Sequence, residues 1–189
     1  YSRLAIVQGD FPDGMEFSGF VHVGSNWFTR YPGNVASYLV LITVHEVAHQ
    51  WWYARTGNDA VQDPWLDEAF ATYSEYIFLE EHYPELRDWW WGFRINNYSP
   101  TGDVDSTVYE FNESRPYINA VYLRGSLMLH AIRQIIGTEA FFDLINAYAE
   151  TSAGEIASPN LFWSLMSDEQ FELTRSLREI YLGQIVALP

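Results

Sequence analysis

The chain has 189 residues and no cysteine, and ten Lys and Arg against twenty-five Asp and Glu leave a formal charge of −15. With 48 % hydrophobic and 17 % aromatic residues, it is neither a disordered chain nor a disulfide scaffold, and it holds no cysteine-ligated metal. The acidity weighs against nucleic acid or an anionic lipid surface as a partner, and there is no apolar run of about eighteen residues to span a membrane.

Residues 4–8 and 18–23 are short runs of β-branched and aromatic residues bounded by Gly and Pro, the pattern of strands. Between them, 9–14 reads as a turn by composition. The chain starts on a strand-like segment without an initiator Met or a basic-then-apolar leader, so the expectation is a piece of a longer or processed protein. At Asn34 the period changes. Asn34 is expected to cap a helix running to about Arg55, with Gly57 as its stop. A second helix is predicted over 64–82, ending before Pro84, with Leu66, Phe70, Tyr73 and Ile77 as its apolar stripe. A third is predicted over 84–97. It carries Trp89, Trp90 and Trp91, whose consecutive positions point around the helix, so at least one is expected to face outward. Residues 99–116 read as a loop. Helices follow at about 118–136, 138–151 (capped by Thr138), 158–166 and 170–183. The fold class is therefore α+β, mostly helical. A small N-terminal β element (1–33) leads into a helical core (34–136) and C-terminal helices (137–189), all one domain.

The chemistry concentrates in Thr43–Trp52, where His45-Glu46-Val47-Ala48-His49 lies inside a predicted helix. Residues four apart share a helix face about 6 Å apart, so both imidazoles can grip one ion. Glu46, about 100° round from His45, stands where a general base would take a proton from water beside the metal. Five His in 189 positions yield such a pattern by chance about once in a hundred sequences. Two His and a Glu on so apolar a helix are also costly to bury without a purpose. A catalytic zinc takes three protein ligands and keeps one open position. Glu68, nineteen residues past His49, is placed to supply the third if the next helix returns antiparallel. Glu75, seven further on, lies on the same face and can receive an imidazole N–H to orient a ligand. His22, His82 and His130 have no partner spacing and read as structural or exposed. Asp103-Val104-Asp105 lacks the glycine and closing Glu of a calcium loop.

This order of residues, ending in Trp65-Leu66-Asp67-Glu68-Ala69-Phe70-Ala71, resembles the aminopeptidase N family of gluzincins, which includes the leukotriene-hydrolase branch. Asp13-Gly14-Met15-Glu16-Phe17 is similar to that family's Gly-x-Met-Glu-Asn motif, with Asp13 in place of Gly and Phe17 in place of Asn. Tyr122-Leu123-Arg124-Gly125 is similar to its Tyr-x-Lys-Gly motif, with Arg124 for Lys. Asp67 stands where Asn is commoner and is expected to add negative charge beside Glu68. The resemblance covers residues 1 to about 135. It implies a thermolysin-like catalytic domain holding one Zn2+ per chain on His45, His49 and Glu68, with Glu46 as base and Tyr122 as oxyanion donor. It further implies that Gly14, Met15 and Glu16 bind substrate, with Glu16 on the α-ammonium of a peptide with a free N-terminus. The strand at Gly19–Val23 is expected to offer an edge to an extended peptide. Other domains of a parent protein are the further partners it implies. Two alternatives stay open: a non-catalytic or inactive zincin-fold fragment, and an epoxide hydrolase of the same family.

Overall fold

The computed structural model describes residues 2–184 and 186. The parts of the 1–33 and 137–189 segments that fall on Tyr1, Ile185 and Ala187–Pro189 lie outside the described residues. In chain order the elements are β1 (Ala5–Gly9), β2 (Gly14–Phe17), β3 (Phe20–Gly24), α1 (Ser25–Thr29), α2 (Tyr38–Ala48), β4 (Gly57–Asn58), α3 (Trp65–His82), α4 (Arg87–Trp90), α5 (Ser114–Tyr117), α6 (Gly125–Ile136), α7 (Thr138–Thr151), β5 (Ile156–Ala157), α8 (Pro159–Ser164), α9 (Asp168–Leu173) and α10 (Arg175–Tyr181). Two π-helical stretches, Trp91–Ile95 and Ile118–Arg124, extend α4 and connect α5 to α6.

The β element is a three-stranded sheet in the order β1-β3-β2. β1 runs parallel to β3, with Ala5 opposite Phe20, and β2 runs antiparallel, with Gly14 opposite Val23. Val21 and Val23 of β3 are fully buried. The expected edge at Gly19–Val23 is therefore absent, because β3 is paired on both sides. The edge strand nearest the helices is β2, which sequence reading left inside a turn-rich stretch. β4 and β5 form a second, two-stranded parallel pair, and Gly57 lies in β4 rather than acting as a helix stop.

α2 begins later and ends earlier than its composition suggests. Ser37, not Asn34, caps it, accepting from the Val40 amide at 3.4 Å. Beyond His49 the chain folds into a tight turn with Tyr53 at φ 103°. α3 follows the predicted span and is the central rod, burying Trp65, Leu66, Ala69, Phe70, Tyr73 and Leu79. α2, α6 and the 118–124 stretch pack against it. The close approach of α6 requires Gly125, where a Cβ would come 2.5 Å from that of Ala69.

The predicted helix over 84–97 is broken. It is a 3₁₀ turn at Pro84–Leu86, then α4, then the π turn and a second 3₁₀ turn at Asn96–Tyr98. Trp90 is fully buried, while Trp89 and Trp91 are half-buried against Phe93 and Tyr76. No member of the trio is exposed, because the under-wound helix lies in a groove of aromatic side chains. Thr138 does not cap α7; Gly137 precedes the helix, and the Thr138 hydroxyl accepts from Arg133 at 3.2 Å. The segment predicted as one helix over 170–183 is split into α9 and α10. Ser167 caps α9 through a reciprocal capping box with Gln170.

Candidate active site

α2 and α3 carry the cluster. His45 lies in the last turn of α2 and His49 closes it, so their rings project one helical turn apart. The His45 and His49 Nε2 atoms are 3.1 Å apart. Glu68 Oε2, from the first turn of α3, lies 3.1 Å from His45 Nε2 and 3.4 Å from His49 Nε2. A tetrahedral zinc with bonds of ~2.0–2.1 Å separates its ligand atoms by about 3.3 Å, so this triangle has the size that such an ion requires. The outer ring nitrogens are occupied as well. His49 Nδ1 donates to the Trp52 carbonyl at 3.0 Å, and His45 Nδ1 lies 3.2 Å from Glu75 Oε1. A carbonyl can only accept, so neutral His49 turns its Nε2 lone pair toward the triangle, and a carboxylate at Nδ1 sets His45 the same way.

Protons and a cation compete for this cluster. Burial works against a charged His45, yet Glu68 and Glu75 outweigh it and raise the ring to about 10. His49 is raised too, again against the effect of burial and mainly by Glu68. Burial opposes the Glu68 charge, but hydrogen bonds with both imidazoles hold its carboxyl well below the usual carboxylate range. Three electron-pair donors thus converge in a site that favours positive charge. The donor set and its dimensions fit zinc.

Glu46 lies outside the triangle and is buried, with Oε2 lacking any hydrogen-bond partner. Burial, reinforced by Glu16 and Glu68, lifts its pKa from 4.5 to about 7 against the pull of both imidazoles. Gly14 of β2 passes so close that a Cβ there would meet Glu46 Oε1 at 2.0 Å. Glu16, two residues on, joins Glu46 and His49 in a group whose ligand atoms all lie within 4.8 Å of one another. The hairpin is held in place by Gln50, the residue after His49. Its amide oxygen accepts from the Gly19 N–H at 2.7 Å, and its Nε2 donates to the Phe17 carbonyl at 3.1 Å.

Tyr122 stands on the 118–124 π stretch, its ring parallel to that of His45 with centroids 5.9 Å apart. Burial and the neighbouring Glu68 hold its hydroxyl far above the ordinary tyrosine range, so it remains a donor. Glu46, Glu16, Tyr122 and the triangle line one cavity of 250 Å³, together with Asp13, Gly14 and Met15. Arg124 points elsewhere, bonding the carbonyls of Gly102 and Ile180. Asp67 is buried and accepts from the Glu68 N–H at 2.7 Å. Burial, helped by Glu68, lifts it to about 7, so it adds full charge only above neutrality.

Sequence reading missed two residues that touch Glu75. Arg94 engages both carboxylate oxygens at 3.0–3.3 Å, and Trp90 donates to Oε2 at 3.0 Å. The one available signal was a lone Arg in a run of aromatic residues, a cation that has to find a partner once buried.

A family model for the peptidase family M1 domain matches residues 4–181. Rice (Oryza sativa subsp. japonica) Aminopeptidase M1-A is 23 % identical over 154 residues, covering 77 % of this chain and 18 % of that protein. Aminopeptidase N of Lactococcus lactis subsp. lactis is 27 % identical over 159 residues, with the same coverage of 77 % and 18 %. The crystal structure of an M1 zinc metallopeptidase from Deinococcus radiodurans superposes with a TM-score of 0.70 at 24 % identity. That comparison covers 98 % of this chain and 41 % of the solved one, and it shows that the chain has the mostly helical fold of an M1 catalytic domain. The chain thus spans less than a fifth of the length of these curated relatives. With nearly its whole length matched by the family model, the chain belongs to peptidase family M1.

Proposed function

We propose that this chain is the catalytic centre of a zinc aminopeptidase that removes N-terminal residues from peptides. The observation that carries the reading is the triangle of His45 Nε2, His49 Nε2 and Glu68 Oε2 at 3.1–3.4 Å, with both outer nitrogens already engaged. His45, His49 and Glu68 hold one zinc ion, which when bound polarises the scissile carbonyl and acidifies a water molecule.

The remaining steps belong to side chains. Glu46, poised near neutrality by burial, takes a proton from water and later passes it to the leaving amine. Tyr122 donates a hydrogen bond to the oxygen that gains negative charge. Glu16, within reach of both Glu46 and His49, pairs with the substrate α-ammonium. A cationic terminus held there places the first peptide bond over the triangle, which limits cleavage to one residue from the end. Met15 and the Gly14 backbone form the wall beside it. Other domains of a longer protein are the further partners, consistent with the small share of its relatives that the chain covers. Among the described residues no helix is long and apolar enough to cross a membrane.

The test is zinc content by elemental analysis of the chain and of His45→Ala, paired with turnover of aminoacyl-coumarin substrates with and without a chelator. One zinc per chain, lost in the variant, and chelator-sensitive turnover are expected. Equal zinc in both proteins would remove the site.

A further inference from the structure

Glu75 is fully buried, and every group within hydrogen-bond distance of its carboxylate can donate. Oε1 faces Arg94 Nη2 at 3.0 Å, Arg94 Nε at 3.3 Å and His45 Nδ1 at 3.2 Å. Oε2 faces Arg94 Nε at 3.0 Å and Trp90 Nε1 at 3.0 Å. Arg94 is 9 % exposed and gives its whole fork to this one carboxylate. Burying a guanidinium is expensive unless its partner geometry is close to ideal, and a bidentate fork on a carboxylate is the geometry that best offsets the cost. Trp90 immediately precedes a π-helical turn and Arg94 lies within it, and such turns occur often at functional sites. The aromatic ring of Tyr38 closes the far side of the guanidinium at 5.7 Å.

We propose that Arg94, assisted by Trp90, is a positioning residue for the metal site, acting through Glu75 on His45. Arg94 and Trp90 donate to both oxygens and hold the carboxylate ionised and in place, so Glu75 presents only an acceptor to His45 Nδ1. That fixes the ring proton on Nδ1, leaves the Nε2 lone pair facing Glu68 and His49, and locks the ring plane. Without the fork, Glu75 is free to rotate in its pocket, and His45 loses both its tautomer and its direction. The cost falls first on metal affinity, since a ligand that must be reoriented binds more weakly. Partners of this kind typically contribute 10–100-fold in metal affinity. The inference rests on the zinc reading above.

The experiment measures the zinc dissociation constant by chelator competition for the wild-type chain, R94M, R94K and W90F. The visible spectrum of each protein loaded with cobalt is recorded in parallel. Circular dichroism restricts the comparison to folded protein. The expected result is a 10–100-fold weaker zinc affinity in R94M, partial recovery in R94K, which restores charge but not the fork, and a smaller loss in W90F. The cobalt d–d bands should shift in the same order. A purely structural ion pair would lower the melting temperature and leave zinc affinity and the cobalt spectrum unchanged. Affinities of R94M and W90F equal to wild type overturn the proposal and leave the zinc reading standing. A wild-type chain that binds no zinc overturns both.

Discussion

Replacing Glu46 by Gln separates what the fold tolerates from what the chemistry needs. Glu46 is 5 % exposed, and its Oε2 has no hydrogen-bond partner. Its pKa rises from 4.5 to about 7, chiefly through burial. Since the folded value lies above the unfolded one, the carboxyl favours folding below about pH 4.5, where it is protonated in both states. That contribution is lost as pH rises through about 7. A shift of this size corresponds to about 3 kcal/mol of stability withheld from the wild-type chain at pH 8. With zinc removed by chelator, E46Q should match wild type near pH 4.5. By pH 8 it should be more stable by about 3 kcal/mol, which is about 6–12 °C in melting temperature for a chain of this length. Urea unfolding at a series of pH values reads this difference directly. With zinc restored, the same variant should lose about 10²–10⁴ in turnover, because the amide takes no proton. A stability gap that stays flat with pH would refute the buried-carboxylate account. Wild-type turnover in E46Q would refute the base assignment.

Three further outcomes follow from the geometry. Tyr122→Phe should keep zinc and KM but lose about 10²–10³ in kcat, the usual cost of one oxyanion donor; an unchanged kcat removes that role. Glu16→Ala should raise KM for peptides with a free N-terminus and leave amino-acetylated ones unaffected, whereas equal losses on both would show that Glu16 does not anchor the amine. Gly125→Ala forces a Cβ to 2.5 Å from that of Ala69, an overpacking worth about 1–3 kcal/mol, and thermal melting should show the loss; an unchanged melting temperature would mean that α3 and α6 separate freely.

How much of this was legible in the sequence follows the range of the interaction involved. His45 and His49 are related by one helical turn, so their spacing places both Nε2 atoms together before any tertiary structure is known. Glu68 and Glu75 needed one further step, an antiparallel return of the chain, and the seven-residue step from one to the other fixes their common face once α3 exists. β2 was hidden because Pro12, Asp13 and Gly14 carry turn chemistry, and four residues are too few to show an alternation. It becomes a strand through pairing with β3 and through Gln50, whose amide grips the hairpin from α2. The single helix predicted over 84–97 failed for a related reason. Its apolar content suits a regular helix, but the docking of Trp90 and Arg94 on Glu75 accompanies an under-wound turn that local periodicity does not signal.

The same distinction explains why Glu75 could be read as an orienting carboxylate while its own partners could not. Helical periodicity reaches from Glu68 to Glu75 within one element. The Arg94–Glu75 pair spans nineteen residues and three changes of helix type. A buried acid with no neighbour in its own helix implies a cation from another segment, because an uncompensated charge in that position would cost several kcal/mol. The sequence offered few candidates, since only ten Lys and Arg are available to twenty-five acids. In so acidic a chain, a basic residue placed among aromatics is best understood by asking which buried carboxylate it serves. For Arg94 the answer is the carboxylate that faces His45 Nδ1.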